Sequence, residues 1–338
     1  MPKDAHILVI RFSAMGDVAM TVPVLRALTK QHPQLKITVL TRPFFKPFFR
    51  NMKNVQFLEA DLNGKHKGVF GLYQLSKTIK RLNVDAIADV HNVLRTKILK
   101  LFLSRIPFVQ TDKGRAEKKA LTSGKSFQPL KTTYERYANV FEELGYPLDL
   151  ANPTFPLKAE LTEKLKSLIS DKNLPLVGIA PFAAHESKMY PLDKMQKVVS
   201  KLSRNYNVIL FGGGTSEVEV LSEWEMTYAN TKSVAGKLSL DEELDLISNL
   251  AVMLSMDSGN GHIAAMLGVK TITIWGVTHP YAGFAPFNQP EDFALLADRT
   301  KYPKIPTSVY GIKYPEDYEN AAGSISVETI VNKVASLF

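Results

Sequence analysis

The stretch His6-Ile7-Leu8-Val9-Ile10-Arg11-Phe12-Ser13-Ala14-Met15-Gly16-Asp17 decides the fold. His6 to Ile10 is a short apolar run of the kind that forms a buried strand, and Arg11 onward opens a helix predicted to run to about Gln31. Asp17 is thereby placed on the first turn of a helix, at the carboxyl end of a strand. In an open parallel sheet that crevice is where ligands bind. The helix N-terminus carries roughly half a positive charge and favours an anion, so Asp17 is placed to take a proton from a bound substrate. An Asp here also serves simply to complement the helix dipole. On this motif alone both roles stay open.

Outward from this stretch, strand and helix alternate twice over. The first half predicts strands near 6–11, 36–41, 55–58, 85–90 and 106–110, with helices at 71–83, 93–104 and 131–145 among them. The second half repeats the theme with Leu176–Ala180, Val208–Phe211, Val252–Ser255 and Thr271–Ile274. Short β-branched apolar runs between amphipathic helices mean parallel strands with crossover helices. Tyr146 to Pro156, with Pro147, Pro153 and Pro156, reads as a linker. Residues 280–325 hold six prolines and are expected to be irregular before a last helix near Val327–Leu337. The expected architecture is α/β: two Rossmann-like domains facing across a cleft, 1–155 and 156–325, then a C-terminal helix in 326–338.

Composition narrows the function classes. At 338 residues two domains are expected. Cysteine is absent, which removes disulfides, thiolate metal sites and a thiol nucleophile. The apolar run near the N-terminus is too short for a signal peptide, and no apolar stretch reaches the ~18 residues of a membrane span. Residues 1–155 hold 25 Lys and Arg against 12 Asp and Glu, whereas 156–338 hold 17 against 21. The positive half attracts an anionic partner or is a solvated basic face. Within it, Arg42, Lys46 and Arg50 alternate with Phe44, Phe45, Phe48 and Phe49, a mixture suited to an anionic bilayer surface. The same phenylalanines also suit a buried helix face.

Further chemistry-bearing stretches follow strands of the second half. Asp257-Ser258-Gly259-Asn260-Gly261-His262 begins a helix, with glycines that permit close backbone approach and amides that point at whatever binds. An N-capped helix with tight packing gives the same sequence. Lys188, just before a helix expected near Leu192, could meet a diphosphate as a point charge. Gly212-Gly213-Gly214-Thr215-Ser216-Glu217 is not GxGxxG, because Glu217 stands at the last glycine position, yet it could seat a nucleotide with Glu217 on ribose hydroxyls. No DxD, HExxH, GxSxG or Walker A pattern is present. Metal-assisted hydrolysis and serine acyl transfer therefore have no support.

In this order the stretches resemble glycosyltransferase family 9, the ADP-heptose:lipopolysaccharide heptosyltransferases. R-x-S-x-x-G-D is met by Arg11, Ser13, Gly16 and Asp17, continuing through Thr21, Pro23 and Leu28. D-[ST]-G-x-x-H-x-A-A is met by Asp257, Ser258, Gly259, His262, Ala264 and Ala265, and G-x-T-x-P by Gly276, Thr278 and Pro280. Glu186-Ser187-Lys188 and Gly236-Lys237-Leu238 fall where the family has donor-contacting segments.

The resemblance implies a GT-B fold and an inverting transfer of heptose or a related sugar, without metal or other cofactor, from an ADP-sugar to lipopolysaccharide inner core. It makes Asp17 the general base. Donor contacts fall to Lys188, Glu217 (ribose), Leu238 (adenine), Asp257 (sugar), Ser258, Gly259 and His262. Acceptor contacts fall to Ser13 and Gly16, and the basic charge of the segment Arg105 to Arg136, apart from the resemblance, adds Arg115 and Lys118 as acceptor candidates. The implied setting is cytoplasmic, peripheral at the inner face of the inner membrane, with a lipid A–core acceptor; a nucleic-acid partner is not expected, because no interleaved stacking aromatics or known module accompany the basic charge. Met189-Tyr190, Met256, Asn260-Gly261 and Val277 depart from the family's frequent residues beside the donor site. A non-catalytic nucleotide-sugar-binding protein is the alternative that keeps the cleft. An NAD-dependent oxidoreductase is disfavoured by the missing GxGxxG after the first strand and the missing acidic residue on the second.

Overall fold

The computed structural model describes residues 2–338. By internal contacts the chain divides into two compact units: residues 1–114 with 131–155, and residues 115–130 with 156–338.

In unit 1 the chain runs β1 (His6–Ile10), α1 (Met15–Ala19), α2 (Thr21–Gln31), β2 (Lys36–Thr41), β3 (Val55–Glu59), α3 (Gly68–Arg81), β4 (Ala86–Asp89), α4 (Leu94–Phe102) and β5 (Phe108–Gln110). After α5 (Arg115–Thr122), which belongs to unit 2, it returns for α6 (Thr133–Glu143). The five strands form one parallel sheet in the order β3-β2-β1-β4-β5. Its central strand β1 is buried throughout, and Leu8, Ile10, Leu40, Leu72, Leu75, Ile87 and Leu99 form the core beneath α3 and α4. A capping box starts α6, where Thr132 Oγ1 accepts from the Glu135 amide at 3.2 Å.

The expected helix from Arg11 to Gln31 is broken after Ala19. Pro23 has no N–H to donate to the Ala19 carbonyl, so the α-helical ladder is interrupted there. Instead the Thr21 hydroxyl donates to Val18 O at 2.6 Å. The short α1 holds the Asp17 turn, and α2 covers the sheet separately.

Unit 2 contains α5, α7 (Glu163–Lys166), β6 (Leu176–Ala180), α8 (Leu192–Leu202), β7 (Asn207–Leu210), α9 (Thr215–Thr227) and β8 (Thr231–Ser233). It continues with α10 (Leu240–Ser248), β9 (Val252–Met256), α11 (Gly259–Met266), β10 (Lys270–Trp275), β11 (Ala294–Leu296) and α12 (Val327–Ala335). The six strands form a parallel sheet in the order β11-β10-β9-β6-β7-β8. Two edge strands, β8 and β11, were not expected from the sequence. The helix α12 packs on α8 and completes the unit 2 core through Ile330 and Val334. Tyr190 is fully buried beneath it and donates its hydroxyl to Ile325 O at 2.8 Å.

The expected first domain of 1–155 differs from unit 1 in one respect: residues 115–130 pack with unit 2. Aromatic and cation–π contacts explain it. Lys118 Nζ lies 4.1 Å from the centre of the Phe284 ring. Phe127 meets the His279 ring edge-on and the Tyr281 ring at a tilt, with the Arg299 guanidinium 3.5 Å from its centroid. Leu130 N donates to Tyr281 O at 2.9 Å. Among the described residues no helix is long and apolar enough to cross a membrane.

Candidate active site

Each unit gathers polar side chains at the carboxyl ends of its own strands, as open parallel sheets do. In unit 1 the chain leaves β1 at Arg11, whose side chain is buried. Its Nη2 lies 2.6 Å from Asp17 Oδ2 and its Nη1 donates to Val90 O at 2.8 Å. The guanidinium also stands over the Tyr137 ring. Asp17 Oδ2 accepts from the Ala14 amide at 3.2 Å as well, while the side chain keeps 29% exposure. The carboxylate is therefore oriented through one oxygen and open to solvent. Ser13 and Gly16 flank it on the same turn, both half-buried.

His91 follows β4 beside this pair. Its Nδ1 accepts from Phe12 N at 3.4 Å, which leaves the proton on Nε2 when the ring is neutral. Burial and the surrounding charges of Arg11, Lys113, Arg95 and Arg42 push its pKa down to about 3. These cations stand after β1, β2, β4 and β5, at four adjacent strand ends. The imidazole stays neutral, and the edge is strongly electropositive. Asp89 is buried at the tip of β4; its Oδ1 accepts from the His91 and Asn92 amides and its Oδ2 from Gln110 Nε2.

In unit 2 the central ion pair is Lys188 with Asp257, 2.8 Å apart, with side chains only 15% and 8% exposed. Thr278 donates its hydroxyl to the same Asp257 oxygen at 2.8 Å. Asp257 follows β9, and Thr278 follows the neighbouring β10. Lys188 ends a short 3-10 segment, Glu186–Lys188, that follows β6. Three adjacent strands thus contribute one side chain each. Gly276 permits this approach: a Cβ there would collide with the Ser187 carbonyl.

Ser258 is the N-cap of α11, and its hydroxyl oxygen is buried with no hydrogen-bond partner. Gly259 begins the helix, whose first amides have no partner within it. Gly261 lies so close to the sheet that a Cβ would sit 2.6 Å from Ser255 Oγ. His262 is buried one turn into the helix. A buried orphan hydroxyl, free amides and a neighbouring ammonium make an oxyanion cradle. Glu217 caps α9, its Oε2 accepting from the Gly213 amide at 2.8 Å and the Gly214 amide at 3.4 Å. Leu238 is half-buried before the Ser239 cap of α10. Among the described residues no group of three or more His, Asp and Glu side chains could hold a metal ion.

The structure thus brings Lys188, Asp257, Ser258 and Gly259 together within unit 2, and seats Ser13, Gly16 and Asp17 together within unit 1. Arg115 is exposed on α5, and Lys118 is buried over Phe284; both belong to unit 2. Sequence reading assigned no role to Thr278, nor to Arg11 as the partner of Asp17, nor to His91. A polar residue just past the end of a neighbouring parallel strand was the available signal in each case.

Comparison with known proteins identifies the family. The model of glycosyltransferase family 9 (heptosyltransferase) matches residues 72–308. Lipopolysaccharide heptosyltransferase 1 of Campylobacter coli is 26% identical over 295 residues, covering 81% of this chain and 85% of the relative. Lipopolysaccharide heptosyltransferase 3 of Escherichia coli K12 is 25% identical over 279 residues, covering 78% and 80%. A family 9 glycosyltransferase structure from Veillonella parvula superimposes with a TM-score of 0.75 at 18% identity, covering 100% of this chain and 98% of that one. The structure of E. coli ADP-heptose lps heptosyltransferase II does so with 0.69 at 20% identity, covering 98% of each. These superpositions show the shared fold, a pair of Rossmann-like α/β units. With the family's model matching well over half of its residues, the chain belongs to glycosyltransferase family 9, the heptosyltransferases.

Proposed function

We propose that this enzyme transfers a heptose, with inversion, from ADP-heptose to the inner core of lipopolysaccharide, and that it does so without a metal ion. Unit 2 takes the donor. The carrying observation is the partnerless, buried Ser258 hydroxyl at the start of α11, adjoining the Lys188–Asp257 ion pair. An anionic diphosphate supplies the acceptor oxygens that Ser258 and the first α11 amides lack, and its charge draws the Lys188 ammonium. Asp257 and Thr278 then orient the sugar and lysine. Glu217 turns from the Gly213 and Gly214 amides to the ribose, and Leu238 packs on the adenine. Gly259 and His262 line the phosphates.

Unit 1 supplies the base and takes the acceptor. As the acceptor hydroxyl oxygen bonds to the anomeric carbon, its proton passes to Asp17. The bond from that carbon to the diphosphate oxygen breaks, and ADP leaves with the electron pair. The sugar passes through an oxocarbenium-like centre. A positioned carboxylate typically contributes ~10²–10⁴-fold. Lys188 and the helix amides stabilise the developing charge on the leaving group. Arg11, Arg42, Arg95 and Lys113 favour an acceptor carrying carboxylate or phosphate near the attacking hydroxyl. Ser13 and Gly16 lie against that acceptor. The acceptor's lipid part places the enzyme at the cytoplasmic face of the inner membrane.

The test supplies purified protein with ADP-heptose and a lipopolysaccharide acceptor truncated before the inner-core heptose. ADP release and an inverted product linkage are expected, undiminished by EDTA. Lys188→Ala should weaken donor binding by ~1.5–3 kcal/mol, the range for a hydrogen bond to a charged group. Complete, magnesium-reversible loss in EDTA, or unchanged donor affinity in Lys188→Ala, contradicts the mechanism.

A further inference from the structure

The phenylalanines first expected to meet a membrane are mostly core: Phe45, Phe48 and Phe49 are buried, and only Phe44 is exposed. The exposed apolar surface of unit 1 lies elsewhere. Val69, Phe70 and Tyr73 stand out from α3, with Phe70 at 85% exposure, and Leu94 and Leu101 stand out from α4 at 74% and 76%. The two helices pack side by side, and the Tyr73 ring meets the Phe102 ring edge-on at 5.5 Å. Phe70 and Tyr73 are one turn apart on α3. Leu94, Ile98 and Leu101 fall on one stripe of α4. Beyond that stripe an open trough of about 760 Å³ runs between α4 and the edge strand β5, lined by Ile98, Leu101, Ile106 and Phe108.

The charge along these two helices and the residues flanking them has one sign. No acidic residue occurs between Asp61 and Asp85, or between Asp89 and Asp112. Those intervals hold Lys65, Lys67, Lys77, Lys80, Arg81, Arg95, Lys97, Lys100 and Arg105, and all nine are exposed. Lys77 lies over the Tyr73 ring at 4.5 Å.

We infer that the α3–α4 face is the surface by which unit 1 docks on an anionic lipid bilayer. Exposed apolar side chains on a stable helix face mark an interaction site. Nine cations and no carboxylate fit a surface of phosphate headgroups. Lysine stems can run along the apolar band while their ammonium groups reach those phosphates. Phe70, Leu94 and Leu101 then enter the boundary between headgroups and acyl chains, as apolar residues of interfacial helices do. A second copy of this chain fits poorly, because a two-fold contact would set the nine cations against nine more. The first turn of α4 carries both Leu94, on the apolar band, and Arg95, one of the cations around His91. The docking face therefore begins at the rim of the Asp17 site. The inference rests on the reading that the acceptor is carried in a membrane, and it specifies the surface that meets that membrane.

The test is co-sedimentation with vesicles of phosphatidylglycerol and phosphatidylethanolamine, and with phosphatidylcholine vesicles, with neither donor nor acceptor present. Binding to the anionic vesicles only is expected, and it should fall at least tenfold between ~0.05 and ~0.5 M salt as the screening length shortens. Phe70→Ser with Leu101→Ser, and separately Lys97→Glu with Lys100→Glu, should each reduce binding at least tenfold. Each charge alone contributes roughly fivefold. Phe44→Ser should leave binding unchanged. All variants should keep the wild-type melting temperature and, with a delipidated core oligosaccharide as acceptor, wild-type turnover. That last assay separates loss of docking from failure of the transferase reading. Variants that bind like the wild type, a wild type that ignores anionic vesicles, or a concentration-dependent dimer abolished by Leu101→Ser would overturn the assignment.

Discussion

Asp17 and Arg11 show how a buried cation can orient a carboxylate and leave it open to solvent, as the base of the proposed mechanism must be. The Arg11 guanidinium is tied to Val90 O, so it meets Asp17 through Oδ2 from a fixed position. The Ala14 amide binds that same oxygen. Asp17→Asn keeps the size of the side chain and loses its proton affinity, so turnover should fall at least ~10²-fold while donor affinity stays within about twofold. Steady-state kinetics with calorimetric donor titration checks this; near-wild-type turnover in the variant would remove Asp17 from the mechanism. The Asp17 turn was legible because a strand followed at once by a small-residue helix start is a local pattern. The pairing with Arg11 was not, since it depends on how Val90, on another strand end, holds the guanidinium. The Lys188–Asp257–Thr278 set was half legible for the same reason. Lys188 and Asp257 each sit in a recognisable stretch, but the contact exists because β6, β9 and β10 are neighbours in the sheet.

At the scale of elements, buried strands were the most legible, because β1, β6 and β9 are nearly unbroken apolar runs and β2 and β10 are β-branched, mixing Thr with Ile and Val. The strands β8 and β11 were not, being three residues long; Thr231-Lys232-Ser233 is polar, and Ala294–Leu296 lies in a proline-rich stretch. Such segments become strands only because a sheet edge is there to pair with. The departure of residues 115–130 to unit 2 was equally hidden, because its anchors, Phe284, His279, Tyr281 and Arg299, lie more than 150 residues away. Element α10 carries a testable penalty. Glu243, on its first turn, is half-buried, and desolvation raises its pKa from 4.5 to about 7. Between those values the folded protein holds a proton that the unfolded chain releases. The contribution of this group to stability is therefore full below about pH 4.5 and is lost as the pH rises towards 7. Glu243→Gln should raise the melting temperature relative to wild type at pH 8 and leave the difference small at pH 4. An equal shift at both values would show that the carboxyl is not the source.

At the scale of the whole molecule, the charge is divided between the two units. Unit 1 holds 21 Lys and Arg against 11 Asp and Glu, and unit 2 holds 21 against 22. The basic excess visible along the sequence is thus a property of unit 1 once the cationic 115–130 segment is counted where it packs. A field of that kind acts on an anionic partner before contact and raises its local concentration, whereas a near-neutral unit does not. On the proposed mechanism the donor diphosphate is met in unit 2 by the short-range pair of Lys188 and the α11 amides, and Lys188 lies largely out of solvent, where salt screens weakly. The two substrates should therefore respond differently to ionic strength. The screening length is ~10 Å at 0.1 M salt and shortens as salt rises, so exposed cations such as Arg95 lose their reach first. Raising salt from ~0.05 to ~0.5 M should increase KM for a water-soluble acidic acceptor about fivefold or more, while Kd for the donor changes by less than about threefold. Steady-state kinetics at fixed saturating donor, with calorimetry of donor binding at the same salts, measures both. If the donor Kd moves as far as the acceptor KM, the charge of unit 1 is not what selects the acceptor.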